Sequence, residues 1–156
     1  MRMFVGAWGL WVLMSTLSPT AYDEAAFARE MLQAVMRAQG CHCGDTWMPP
    51  APPLGWDKQL TLAAQVQAED MATHHFLGYV GSDGSRLGDR ISGAGYHWSF
   101  VGENALSGGR DVTTAVQRWQ RSPGHCRNMM NPGYRDMGAY MADHYMVQVL
   151  ARPASW

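Results

Sequence analysis

The stretch Val101–Gly138, VGENALSGGRDVTTAVQRWQRSPGHCRNMMNPGYRDMG, decides how this chain is read. Asp111 can cap a helix in which Val112, Ala115, Val116 and Trp119 recur at i, i+3, i+4 and i+7, the spacing of a buried stripe. Ser122 and Pro123 then supply an N-cap and a proline at the first helical position, so a second, short helix begins there with His125 and Cys126 in its first turn. Helical neighbours point about 100° apart, so this adjacent pair cannot face each other as nucleophile and base. The two residues therefore have separate roles. Cys126 is a disulfide candidate, and His125, at a helix N-terminus that disfavours its protonated form, is free to act as a neutral base or ligand.

Outward from this stretch, the order of elements predicts an α+β layer fold. Asp23 can cap a helix carrying Phe27, Met31, Ala34, Val35 and Ala38, which Gly40 stops. A Pro- and Gly-rich connection, CHCGDTWMPPAPPLGW, follows. Asp57 caps another helix with Leu60, Ala63, Ala64, Ala68 and Met71 on one side. Asp83-Gly84 marks a tight turn before a short helix expected to start at Ser85. Alternating Tyr96, Trp98 and Phe100 predict a short strand, which leaves Glu103 and Asn104 at its exit. In the tail, Met137, Ala139 and Met141 alternate with Gly138 and Tyr140, and Tyr145, Val147 and Val149 with Met146, Gln148 and Leu150. That pattern predicts two antiparallel strands joined near Asp143-His144.

The N-terminus reads as a leader. Arg2 precedes the uncharged run Met3–Met14, too short to span a bilayer as a helix but suited to a secretory signal. Small residues after it place cleavage near Ala21, with Ser18 as an alternative and an uncleaved anchor as the competing reading. Residues 1–21 are thus expected to be a signal peptide, with one domain over 22–156 and a secreted or periplasmic location. Of 156 residues, 12 are Lys or Arg and 13 Asp or Glu; without Arg2 the balance is 11 to 13. This near-neutral charge, with no basic run, excludes nucleic acid as an expected partner.

All three cysteines, Cys41, Cys43 and Cys126, lie beyond the leader, where an oxidising compartment favours disulfides. One of the first two is expected to bridge Cys126 across a long loop, leaving the other over. No G-x-S-x-G elbow, phosphate-cradling loop, H-E-x-x-H or paired C-x-x-C occurs, which removes those enzyme classes. Met129, Met130, Met137, Met141 and Met146, with His125 and His144, form a soft ligand set suited to Cu(I), although alternation makes several of them core filler.

In order along the chain, PPLGWDKQLTLAAQVQAEDMA, GSDGSRLGDRISGAGY, VGENALSGG, AVQRWQRSPGHCRNMMNPGYRDMGAYMA and YMVQVLARP resemble the CAP superfamily of SCP-like extracellular domains. This family includes cysteine-rich secretory, venom-antigen and plant pathogenesis-related proteins, as well as bacterial ones. The likeness runs from about Phe27 to Pro153, and GEN followed by W..SPGH and MG is its specific part. It implies a three-layer α-β-α sandwich with a small antiparallel sheet between helices. It also selects Cys43 as the partner of Cys126, leaving Cys41 spare.

The resemblance further implies a cleft lined by two histidines and two acidic residues, able in some members to hold a divalent metal. Glu103 and His125 fill two of these places. Tyr79 stands where relatives carry the first histidine, and Ser122 stands at the second acidic position. A phenol is a poor zinc ligand, so no metal or other cofactor is expected. His74 and His75 are nearby substitutes but read better as a solvated helix terminus. Asn104 is expected to satisfy a turn, with Glu103 hydrogen-bonded to His125. The expected function is a monomeric binding or interaction module for an unidentified small molecule, lipid, glycan or protein. The alternatives are a hydrolase using Glu103 and His125 as acid and base, and a Cu(I)-binding protein.

Overall fold

The computed structural model describes residues 36–155. The expected leader and all but the end of the first expected helix lie outside the described residues. At that end the Gly40 N–H bonds the Met36 carbonyl and Gly40 takes a positive φ of 77°, the stop expected of it. A small antiparallel hairpin, β1 (Cys41–Cys43) and β2 (Thr46–Met48), opens the irregular connection.

The main sheet has the order β3-β5-β6-β4, from β3 (Gly55–Trp56), β5 (Asp136–Ala142), β6 (Tyr145–Pro153) and β4 (Trp98–Ser107). Its long pairings are antiparallel, as expected; the two-residue β3 adds a parallel edge beside β5. The β5–β6 hairpin turns at Asp143-His144, where Asp143 adopts a left-handed φ of 51°. Expected as a short strand that ended before Glu103, β4 is ten residues long and carries Glu103 and Asn104 in mid-strand. The ladder with β6 continues through both residues because Val149 and Gln148 lie opposite them.

Four helices cover the two faces. On one side lie α1 (Lys58–His74) and α2 (Leu87–Gly93), and on the other α3 (Val112–Arg121) and α4 (Pro123–Met130). The Asp57 carboxylate accepts from the Gln59 and Leu60 N–H groups, and Asp111 accepts from the Thr114 N–H, so both helices begin where their caps were read. For α2 the start moves from Ser85 to Arg86. There the Asp89 carboxylate bonds the Arg86 N–H, and Ser85 donates its own N–H to Asp83 in the preceding turn.

Period-2 alternation assigns each strand residue to a face. Leu60, Ala63, Ala64, Ala68, Met71 and Ile91 pack with Ala105, Val147 and Val149 in one core, and Val112, Val116, Trp119, Met129 and Met130 pack with Leu106, Met137, Met146 and Leu150 in the other. The first core is thin because α1 presents alanines. At Gly138 the α1 backbone lies directly on β5: a Cβ there would overlap Thr61 N and Leu60 C and stand 2.8 Å from Thr61 Cα. Only glycine allows this approach. The fold is therefore the expected three-layer sandwich.

Four of the five methionines considered as copper ligands, Met129, Met130, Met137 and Met146, are buried in the second core, and Met141 packs at its rim. His144 is exposed in the hairpin turn. The thioethers fill volume between apolar neighbours, the usual use of methionine in cores.

Candidate functional site

Among the described residues β4 is an edge strand of the main sheet, so α2 and its preceding loop approach α4 across an open edge. Side chains alternate along β4, which sends Glu103 toward α2 and Asn104 toward α4. Successive residues thus serve opposite layers.

Glu103 is buried, and its partner is Arg90 of α2. One guanidinium nitrogen, Nη2, donates to Oε2 at 2.8 Å and to Oε1 at 3.1 Å, with the two side chains only 3% and 1% exposed. Burial pushes the Glu103 carboxyl above its ordinary range, while Arg90 pulls it back. Arg90 also donates to the carbonyls of Ser85 and Tyr79. Sequence reasoning expected Glu103 to meet His125 and assigned Arg90 no role. The available signal was a cation three residues after Leu87 and beside Ile91, on the inward side of a short helix, which calls for a buried carboxylate.

Tyr79 lies in the α1–α2 loop. That loop is tethered by Gln67, which donates to the Gly78 carbonyl, and by Asp70, which accepts from the Ser82 N–H and hydroxyl. The ring is about half exposed, and its hydroxyl stands 3.1 Å from His125 Nε2. This contact bridges the two helical layers. Burial, and then the charge of Glu103, raise the Tyr79 pKa, so the phenol keeps its proton and donates it. His125 Nε2 accepts, which leaves the ring proton on Nδ1, 3.0 Å from Ser122 Oγ. Ser122 occupies the N-cap position of α4, but its hydroxyl serves the imidazole and makes no capping hydrogen bond.

Burial lowers the His125 pKa from 6.5. The unfolded chain therefore binds this proton first, and the contribution of neutral His125 to stability, present above about pH 6.5, is lost as pH falls through the lower folded value. An NMR titration of the His125 ring should give a midpoint below that of an ordinary histidine; a midpoint at or above 6.5 would contradict the neutral Tyr79–His125–Ser122 chain.

Asn104 does more than satisfy a turn. It is fully buried, donates to the His125 carbonyl at 3.3 Å and to Gln148 at 3.0 Å, and accepts from Asn128. Asn128 also donates to the Glu103 carbonyl and accepts from the Tyr134 hydroxyl. This network fastens α4 to β4 and sets the height of His125. Beyond the helix end, buried Arg37 donates to the Met129 and Asn131 carbonyls. On the neighbouring face of α4, Cys126 is disulfide-bonded to Cys43, the pairing the resemblance selected, and Cys41 is free. His74 is held against Asp70, and His75 forms the left-handed C-cap of α1.

Comparison with known proteins agrees with this architecture. The model of the cysteine-rich secretory protein family, CAP, matches residues 49–149. The Bacillus subtilis protein YkwD, described as uncharacterized, is 26% identical over 86 residues, 55% of this chain and 34% of its own. An extracellular SCP-domain protein of Bacillus anthracis superposes with a TM-score of 0.64 at 27% identity, over 65% of this chain and 34% of that one. The chain thus spans about a third of the length of both relatives. At 19% identity, an outer surface protein of Borrelia burgdorferi shares the fold, with a TM-score of 0.60 over 67% of this chain and 80% of the other. A family match over most of the described residues, carried on a sandwich whose β4 edge holds the GEN glutamate and whose α4 holds the SPGH histidine, makes this chain a member of the CAP family.

Proposed function

We propose that the chain is an exported CAP domain acting as a binding module, and that its cleft takes an uncharged, hydroxyl-rich ligand, with glycans the best match. The observation that carries this reading is the neutral chain Tyr79–His125–Ser122 across the open edge, above a Glu103 already paired with Arg90. Such a surface offers the Tyr79 and Ser122 hydroxyl groups and an exposed aromatic face, with no free charge at its centre. Export is supported by the leader pattern of residues 1–21 and by the extracellular Bacillus anthracis neighbour. Among the described residues no helix is long and apolar enough to cross a membrane.

The hydrolase reading needs a carboxylate free to exchange protons, whereas both Glu103 oxygens accept from Arg90. The cleft's donor set also does not fit a divalent metal. His125 Nε2 is occupied by the Tyr79 phenol, so among the described residues the group facing it across that contact is a hydroxyl rather than a second imidazole. Tyr79→His supplies that imidazole. It is expected to create zinc affinity measurable by calorimetry, and heats no larger than those of the wild type would argue against the shared cleft.

The test of function is a thermal-shift screen of the purified chain against glycans, lipid vesicles and divalent metals. A ligand at one hundred times its Kd adds about 2.7 kcal/mol to the folded state. A glycan is expected to raise the midpoint, and Tyr79→Ala to remove the shift. A shift from lipid or metal alone, or one indifferent to Tyr79→Ala, overturns the reading.

A further inference from the structure

The three sulfurs form a cluster that the cleft does not use. Cys41 Sγ lies 3.8 Å from Cys126 Sγ, and the Sγ atoms of Cys41, Cys43 and Cys126 all lie within 4.8 Å of one another. Cys43 and Cys126 are buried and Cys41 is half-buried. The arrangement follows from two facts of the backbone. Cys41 and Cys43 are i and i+2 on β1 and share a face, and β1 packs against α4. Cys126 sits on a different face of that helix from His125, so the cluster is separate from the cleft.

Two chemistries are open to a free thiol beside a disulfide. Exchange requires a thiolate to attack one sulfur along the axis of the bond, in line with the leaving sulfur. Cys41 instead approaches from the side, because it stands within 4.8 Å of Cys43 Sγ as well as 3.8 Å from Cys126 Sγ. A compact triangle of sulfurs suits a metal better. Three thiolates arranged in a plane about one ion at about 2.3 Å stand about 4 Å apart, close to the Cys41–Cys126 separation already present. Opening the Cys43–Cys126 bond to a similar separation completes the triangle. Among the described residues the group consists of these three cysteines, with no histidine, carboxylate or fourth cysteine in it, and three soft thiolates favour Cu(I).

We propose that Cys41, Cys43 and Cys126 form a redox-gated trithiolate site for Cu(I), closed while the Cys43–Cys126 disulfide is intact and opened by a dithiol reductant. In the gating step the dithiol attacks the Cys43–Cys126 bond. Two electrons pass to the protein sulfurs, two protein thiols form, and the reductant leaves as its own disulfide. Cu(I) then binds the three thiols, displacing three protons, with no change in the oxidation state of copper or sulfur.

The test is anaerobic titration of the reduced full chain with Cu(I) against a colorimetric Cu(I) chelator, with circular dichroism to follow the fold. The wild type is expected to retain one equivalent, to show copper–thiolate absorption in the near ultraviolet, and to lose three titratable thiols. Cys41→Ala keeps the pair that forms the disulfide and is expected to hold copper at least tenfold more weakly. The oxidised wild type, which retains every methionine and histidine, is expected to hold none. Equal retention by reduced Cys41→Ala, or retention by the oxidised chain, overturns the proposal. If reduction unfolds the chain, one equivalent of Cu(I) should restore the folded spectrum in the wild type and fail to do so in Cys41→Ala; failure in the wild type overturns it equally.

Discussion

Arg90→Ala is expected to cost about 3–5 kcal/mol of stability, because it leaves the Glu103 carboxylate buried without its partner. For a domain of this size that corresponds to a fall in melting temperature of about 10–20 °C. The loss exceeds that of a surface ion pair, which is worth about 1 kcal/mol or less, because neither side chain reaches water. The substitution also releases the Ser85 and Tyr79 carbonyls, so the loop that brings Tyr79 to His125 loses a tether. A dependence on pH follows. Without Arg90, burial alone acts on Glu103, and its folded pKa rises further above the unfolded value of about 4.3. A raised folded pKa contributes stability below the unfolded value and loses it as pH rises through the folded one. The deficit of Arg90→Ala relative to wild type should therefore be larger at pH 7 than at pH 5 in urea unfolding. Removing both charges, as in Arg90→Met with Glu103→Leu, should recover much of the loss. A single-variant deficit under about 1 kcal/mol would show that the pair is not the buried anchor of the cleft.

The second large effect is expected from Cys126→Ala. Cys43 and Cys126 are 83 residues apart, and in the chain-entropy model closing a loop of that length stabilises by about 4–5 kcal/mol. Its loss should appear as a lower urea midpoint under oxidising conditions and should vanish when wild type and variant are compared under reducing ones. Cys43→Ala should be milder, because Cys41 Sγ already lies 3.8 Å from Cys126 Sγ and can take over the bridge. Non-reducing peptide mapping of Cys43→Ala should then find a Cys41–Cys126 linkage. Equal losses in the two variants would show that Cys41 cannot replace Cys43.

The division between sequence and structure is visible in particular residues. Local chemistry made the helix starts at Asp57, Asp111 and Pro123 legible, since a cap and its first turn lie within four residues of each other. The faces of β5 and β6 were equally plain, because period-2 alternation is a property of the backbone itself. The α2 start was misplaced by one residue because Asp83, Ser85 and Asp89 all offer caps and only the folded turn chooses among them. The extent of β4 was also missed, since a strand that carries Glu-Asn through its middle breaks local propensity and is held there by its ladder with β6.

Within the candidate site, the resemblance to CAP domains implied that Tyr79, Glu103, Ser122 and His125 share one cleft, but it misassigned the partner of Glu103. By itself the sequence determined the periodic elements and their caps, because those depend on interactions between near neighbours. Only the tertiary structure decided that Glu103 answers to Arg90, 13 residues away, that Tyr79 reaches His125 over 46, and that Cys41 rests beside a bond it does not share. Such pairings are made where two helical layers meet at the edge of a sheet, and the distance there is set by the thickness of the whole sandwich rather than by any spacing along the chain.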